Sequence, residues 1–391
     1  MTIPLSTEKR SHLILTGKNG SGKTGLLLEM NKILLQLDSG RLSNLSKHED
    51  RLASLRKNFD RPEMTDKDKS IYARDIEGVL KKISLYGGVR LKFSNEVEMI
   101  ENKCREGKFL LAYFDSKRQT NLSVPQGINK LNLKKKYSLQ EKANTSFIQY
   151  LVNLKADRSF ARDDQEMETV HKIDNWFSRL EKRLQQLFDD ENLRLKFNRK
   201  DYNFDIQDAN ENVFNFNTLS DGYSAIISIV SELLLRMEAH KTKTYDLEGI
   251  VIIDEIETHL HVDLQKNILP FLIDFFPHIQ FIVTTHSPFI ISSVSNAIIC
   301  DLETRIVTAD LSNYSYDALI ESYFKTDKYS EELKEKVFKF ERLVEQKERS
   351  PKEEADLLKL REYFSNYPKF LANELTVKLQ EITLKELNMK Y

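Results

Sequence analysis

The stretch His12 to Gly25, HLILTGKNGSGKTG, decides how the rest of the chain is read. Its apolar run Leu13-Ile14-Leu15 has the character of a buried strand. The strand runs into Gly17-Lys18-Asn19-Gly20-Ser21-Gly22-Lys23-Thr24, which satisfies the phosphate-loop pattern GxxxxGK[ST] at every position. The glycines let the backbone curl, so that the N–H groups across Asn19, Gly20, Ser21, Gly22, Lys23, Thr24 and Gly25 form an anion nest. An apolar helix is expected over 26–37, and its N-terminus adds the positive end of a dipole. In this setting Lys23 is expected to reach the β- and γ-phosphates and Thr24 to ligate Mg²⁺. The stretch predicts binding of a nucleoside triphosphate, ATP with Mg²⁺.

Composition narrows the classes around that loop. The 391 residues suffice for one large or two modest domains. With 40% hydrophobic and 30% charged residues, long exposed helices are expected. The net charge of −1 supplies no global basic field for non-specific nucleic-acid binding. A local contact through Lys130–Tyr137, KLNLKKKY, stays open. Cys104 and Cys300 lie far apart, which fits a reducing compartment without a disulfide framework. No apolar run approaches the ~18 residues of a membrane span, so a cytoplasmic protein without a membrane partner is expected.

A second acid-bearing strand follows in the other half. Gly249-Ile250-Val251-Ile252-Ile253 is apolar throughout and ends in Asp254-Glu255. An unbroken apolar strand suits a parallel sheet covered on both faces. Two adjacent carboxylates at its end are costly unless they meet a cation or a proton to transfer. Asp254 is therefore assigned to Mg²⁺ or its water, and Glu255 to polarising the attacking water. Another apolar strand, 279–285, ends in His286, placed to hydrogen-bond a γ-phosphate. His259 and His261 lack a third nitrogen or sulfur ligand nearby and are read as loop or dimer-face contacts rather than a zinc site. Ahead of these motifs, Ser220-Asp221-Gly222 precedes an apolar helix over 223–237, with Ser220 as its N-cap. That makes a second anion-binding helix end in one chain.

Between the motifs the pattern is mostly helical. Leu42, Leu45, Leu52 and Leu55, then Ile71, Ile76, Val79 and Ile83, recur at helical spacing around a break near Pro62 and predict a hairpin of helices. Strands are expected at 89–93 and 109–114, a helical stretch with the core anchor Trp176 over 138–189, and a β-hairpin from 192–198 and 202–208. The tail, with helices expected at 315–324, 330–343, 351–364 and 369–387, reads as amphipathic. The predicted organisation is a core of 1–37 and 190–310, a helical hairpin insertion at 38–88, strands plus a helical subdomain at 89–189, and a helical tail at 311–391.

Taken in order, GKNGSGKT, LSDGYSA, IVIIDEIETHLH and FIVTTHSP resemble the ATP-binding-cassette branch of P-loop proteins. The match is to the head domains of the SMC and RecF class, and more closely to the bacterial "AAA family ATPase" group of OLD nucleases and of antiphage systems such as Septu, PARIS and retron-linked ATPases. The resemblance covers roughly 10–37 and 190–302. It implies an α/β P-loop NTPase of the ABC-ATPase head type with a helical arm and tail. It also implies a head-to-head homodimer, or a higher even oligomer, with composite sites. Lys23, Thr24, Asp254, Glu255 and His286 would come from one protomer, and Ser220 and Gly222 from the other. Gln119 is the residue expected in the family's Q-loop position. Val262 stands where the family often has proline. Relatives of the OLD type carry a nuclease domain, which needs a DxD group for metal. None occurs after Cys300, and Glu345 lies in a helical pattern, so any nuclease or toxin activity is expected in a separately encoded effector. The function expected is an ATPase controlling that effector in antiphage defence. The alternative, a DNA-repair or chromosome-maintenance clamp, would want a longer arm than the ~35 Å that ~25 residues per helix provide.

Overall fold

The fold is that of a computed structural model, which describes residues 1–6, 9–61, 65–118, 122–238, 247–315, 318–319, 331–346, 348–365, 379–382 and 384. Its two compact units are Met1–Tyr314 and Ser315–Tyr391.

The first unit is built on a sheet whose strands are apolar because both faces are covered. Strand β1 (His12–Thr16) is buried along its whole length and leads through the phosphate loop into α1 (Lys23–Asp38). Helices α2 (Asn44–Phe59) and α3 (Asp66–Ser84) pack on each other. α2 has no buried residue and α3 only Val79, so the pair is predominantly solvated. Thr65 caps α3 by accepting from Asp68 N–H at 3.2 Å. Pro62, the expected break, lies outside the described residues.

Next come α4 (Val97–Arg105), β2 (Phe109–Phe114), α5 (Phe147–Asp163) and α6 (Met167–Phe188). An antiparallel sheet of β3 (Arg194–Asn198), β4 (Asn203–Gln207) and β5 (Val213–Asn215) follows. The unit continues through α7 (Asp221–Glu238), β6 (Glu248–Ile253), α8 (Val262–Phe275), β7 (Ile279–Thr284), α9 (Pro288–Ile291), β8 (Ala297–Asp301) and β9 (Ile306–Ala309). The main sheet has the order β2-β6-β7-β1-β8-β9, parallel except for β9. Parallel pairing sends the carboxyl ends of β2, β6, β7, β1 and β8 to one edge, where open α/β sheets bind ligands.

One core cluster joins Leu27, Met30, Ile33, Leu34 and Leu37 of α1 to Leu13, Leu15, Leu111, Ile252 and Ile282 of the strands. Each fully buried leucine there contributes about 2 kcal/mol of transfer free energy. Gly249 lets β6 lie close to β2, because a Cβ there would sit 2.3 Å from the Leu110 carbonyl oxygen.

A buried ionic hub fastens α7 to the sheet. The Arg236 Nε donates to Glu232 at 2.7 Å, with both side chains 5% exposed. Glu232 in turn accepts from Ala143 N–H and Asn144 N–H. Arg236 also donates to the carbonyls of Leu111 and Ser138 at 2.9 and 3.2 Å. Every partner is satisfied, as a buried charge pair requires. Trp176 is buried and donates through Nε1 to Glu238 at 2.9 Å, the core role expected of it.

The expected strand at 89–93 is not one. The segment is irregular, and Val89, Leu91 and Phe93 lean on the core cluster without a ladder partner. Alternation there reflects one-sided burial without pairing. The basic run 130–137 is irregular and partly spent on internal contacts, Lys136 with Asp38 at 2.7 Å and Lys134 with Glu141.

In the second unit, α10 (Glu331–Glu345) and α11 (Pro351–Ser365) bury Leu333, Val337, Phe340 and Leu343 against Leu357, Leu360, Phe364 and Ile382. The helices expected at 315–324 and 369–387 lie largely outside the described residues. Among the described residues, no helix is long and apolar enough to cross a membrane.

Candidate functional site

The carboxyl edge of the sheet gathers most of the residues singled out from sequence. Gly17, Gly20 and Gly22 take φ of +129°, +85° and +95°, values that L side chains rarely adopt. A Cβ on Gly17 would also meet Ser21 Oγ at 2.8 Å. Lys23 is buried, and its ammonium donates to the carbonyls of Gly17 and Lys18 at 2.8 and 3.1 Å, folding back across the loop. Burial pushes its pKa down, against the opposing pull of Glu255, Glu257 and Asp254. The Ser21 hydroxyl is buried without a protein partner, the kind of orphaned polar atom that a phosphate oxygen satisfies.

Thr24 and Asp254, 230 positions apart in sequence, meet here. Thr24 Oγ1 donates to the Asp254 carboxylate, 3.0 Å to Oδ2. A hydroxyl and a carboxylate at the foot of a phosphate loop are hard oxygen donors and fit Mg²⁺, which keeps waters and phosphate oxygens as its remaining ligands. No cluster of three or more His, Cys, Asp or Glu suited to a metal occurs among the described residues. The donor set therefore fits a cation shared with a nucleotide better than a dedicated protein cage.

Glu255 is held in an uncommon backbone conformation, φ +46°. For a residue with a Cβ this costs on the order of 1 kcal/mol or more and persists only where the surroundings fix it. Its N–H donates to Thr284 Oγ1 at 2.7 Å, and the same hydroxyl donates to Asp254 Oδ1 at 2.6 Å. Its carbonyl accepts from Arg118 Nη2 at 2.8 Å, while Arg118 Nη1 donates to the carbonyls of Asp115 and Asp254 at 2.9 and 2.6 Å. Arg118 is 5% exposed. Burial lowers its pKa, offset by the carboxylates of Glu257, Asp115, Asp254 and Glu255, and a guanidinium stays charged in such a setting.

His286 follows β7 at the same edge. Its backbone N–H donates to Glu257 Oε1, and its Nε2 is buried without a protein partner. Glu257 Oε2 and Arg118 Nε are likewise buried without one. Ser220 immediately precedes α7, and Gly222 lies in its first turn. The Ser220 carbonyl accepts from Ser224 N–H at 2.8 Å, the first turn of the helix. A Cβ on Gly222 would meet the His259 carbonyl at 2.9 Å and Leu264 Cδ1 at 3.3 Å, so the glycine admits the loop after β6. Within one chain, Gly222 belongs with the 259–264 segment. Gln119 lies outside the described residues.

Sequence reasoning assigned no role to Arg118, Thr284 or Glu257. The first follows the expected strand 109–114, and nothing in its neighbours foretold burial. The hydroxyl at 284 was hidden as the last residue of an apolar strand.

Comparisons with known proteins give the chain a family. Residues 13–292 match the family model described as "AAA domain, putative AbiEii toxin, Type IV TA system". The chain is 46% identical over 70 residues to Septu protein PtuA of Bacillus mycoides (strain KBAB4), covering 18% of this chain and 10% of that protein. It is 41% identical over 86 residues to the Retron Ec83 probable ATPase of Escherichia coli, covering 21% of this chain and 16% of that one. The matched segments thus span less than a fifth of the length of either relative. Among solved structures, an SMC head bound to the C-winged helix domain of ScpA aligns over 79% of this chain and 93% of its own, at 13% identity and a TM-score of 0.36. The family match covers more than half of the chain and includes the phosphate loop, the Asp254-Glu255 strand and His286, so this α/β P-loop protein belongs to the AAA-domain family so described.

Proposed function

We propose that the chain is a Mg²⁺-dependent ATPase that dimerises through ATP, with composite sites, and controls a separately encoded effector, a nuclease or toxin, in bacterial antiphage defence. The observation that carries the ATPase reading is the meeting of Thr24 and Asp254 at 3.0 Å beneath the glycine loop, with Glu255 adjoining. The defence context is supported by the likeness to a Septu protein and a retron ATPase.

In this reading the N–H groups from Asn19 to Gly25 and the Lys23 ammonium hold the phosphates, and Lys23 exchanges its contacts to Gly17 and Lys18 for phosphate oxygens. Thr24 and Asp254 would hold Mg²⁺, which would offset phosphate charge. Glu255 orients the water that attacks the γ-phosphate, and the Nε2–H of His286 donates one hydrogen bond to that phosphate. Ser220 and Gly222 of a second copy would close on the nucleotide from α7, whose free N-terminal N–H groups suit an anion. Opening of the dimer after hydrolysis is the output passed to the effector.

The test is the mass of the purified protein in ATP and Mg²⁺, wild type beside Glu255→Gln, after co-expression with flanking genes, with phosphate release measured in parallel. The expected result is a dimer or multiple of it, trapped by Glu255→Gln, with a second polypeptide in fixed ratio. Unchanged hydrolysis in Glu255→Gln overturns the mechanism. A lone chain that shifts onto DNA replaces the effector reading with a DNA clamp.

A further inference from the structure

Two residues to which the recognised motifs assign no role converge on one peptide. The main chain of Glu255 is gripped at its N–H by the Thr284 hydroxyl (2.7 Å) and at its carbonyl by the Arg118 guanidinium (2.8 Å). Neither grip is a surface contact, since Thr284 is fully buried and Arg118 is 5% exposed. Each also reaches Asp254. Thr284 donates to its carboxylate at 2.6 Å, and Arg118 donates to its carbonyl at 2.6 Å. The gripped peptide is one whose φ of +46° a glutamate would not adopt unaided.

We propose that Arg118 and Thr284 are positioning residues that lock the Asp254-Glu255 pair, fixing the backbone of the water-orienting acid from both sides and tying it to the metal-holding acid through one hydroxyl. The proposal rests on the reading of Glu255 given above. Released from either grip, Glu255 relaxes toward ordinary φ, and its carboxylate leaves the direction set by the sheet edge. Asp254 keeps its place better, because Thr24 still bonds it. Loss of the lock therefore falls on turnover more than on nucleotide affinity.

The lock also joins three separate strand ends. Arg118 follows β2, the acids follow β6, and Thr284 ends β7. Asp115 is held in the same grip through its carbonyl, so a shift of the loop after β2 is carried by the guanidinium directly to Glu255.

The experiment compares steady-state ATP hydrolysis of the full chain for Arg118→Lys, Thr284→Val and Thr284→Ser, each also combined with Glu255→Gln. Arg118→Lys keeps the charge but cannot reach three carbonyls with a planar fork. Thr284→Val keeps the volume and removes the hydroxyl, while Thr284→Ser restores it. The expected result is a fall in kcat of at least about tenfold for Arg118→Lys and Thr284→Val, with KM for ATP within about threefold and most of the loss recovered by Thr284→Ser. In the Glu255→Gln background the same changes should cost less than about twofold, because residues acting through one group are not additive.

Trp176 fluorescence separates misfolding from misplacement, and if Arg118→Lys does not fold, the valine–serine contrast at 284 decides. Wild-type kcat in Arg118→Lys and Thr284→Val, or losses that multiply with Glu255→Gln, overturn the lock while leaving Glu255 in its role. Wild-type kcat in Glu255→Gln alone overturns the underlying reading instead.

Discussion

His12 makes the phosphate-loop unit acid-sensitive by an amount that the structure sets. It opens β1, is 2% exposed, and lies 5.8 Å from the Phe281 ring, centroid to centroid. Its Nδ1 accepts from Phe281 N–H at 3.1 Å, so that nitrogen must be unprotonated in the fold. Burial, aided by the positive charge of Arg10, lowers its pKa from 6.5 to about 4. The neutral form is the one the fold accepts, so the stabilisation is fully present above pH 6.5 and is lost as pH falls toward 4. At about 1.4 kcal/mol per pH unit the whole shift is worth about 3 kcal/mol, of which about 2 kcal/mol is gone by pH 5. The assay is urea unfolding at pH 7.5 and pH 5, followed by Trp176, the only tryptophan, which reports on the first unit. His12→Asn keeps an acceptor near Nδ1 and removes the titration, so its own cost at pH 7.5 cancels in the double difference. Wild type should lose about 2 kcal/mol more than His12→Asn between the two pH values. A double difference under about 0.5 kcal/mol would refute the reasoning, because the imidazole would then titrate alike in both states.

Three further outcomes follow from packing and charge. Gly249→Ala forces a Cβ to within 2.3 Å of the Leu110 carbonyl, so the β2–β6 ladder must part, and a loss of about 1–3 kcal/mol is expected in the same unfolding assay. Arg236→Ala leaves Glu232 buried without its counter-charge and should cost about 3–5 kcal/mol, whereas Glu232→Leu with Arg236→Met together should cost less than the single change, as read by urea midpoints. The Cys104 thiol, 1% exposed and with its pKa pushed up to about 12 by burial, should resist a thiol reagent at pH 8 in the native protein and react after urea unfolding.

The motifs legible in sequence were those whose chemistry demands a fixed residue at a fixed spacing. Gly17, Gly20 and Gly22 announce themselves because the loop needs positive φ at each. Asp254-Glu255 stands out because acids rarely end an all-apolar strand without a cation to meet. Elements that rely on neighbours gave no such signal. Strands β5 and β9, three and four residues long, are edges whose pairing is supplied by β4 and β8. Helix α8 carries Pro270 in its interior, which breaks the usual pattern, and its burial of Ile268, Leu269 and Leu272 holds the turn regardless. Val89–Phe93 shows the opposite failure, where alternation mimicked a strand because only one side meets the core.

The residues that lock the acids were illegible for a topological reason. Arg118 and Asp254 are 136 positions apart, and no pattern along the chain relates them. Pairing of Phe114 with Ile253 at the end of the β2–β6 ladder brings the segment after each strand alongside the other. Thr284 enters by the same route, since β6 lies between β2 and β7 and all three run parallel. An arginine four residues beyond β2 then meets three carbonyls within reach and four carboxylates around it, and these partners offset the cost of burying its charge. Had β2 paired at any other edge, Arg118 would face water and Glu255 would lack its carbonyl partner. Strand order therefore completes a site whose motifs alone specify its parts but not their aim.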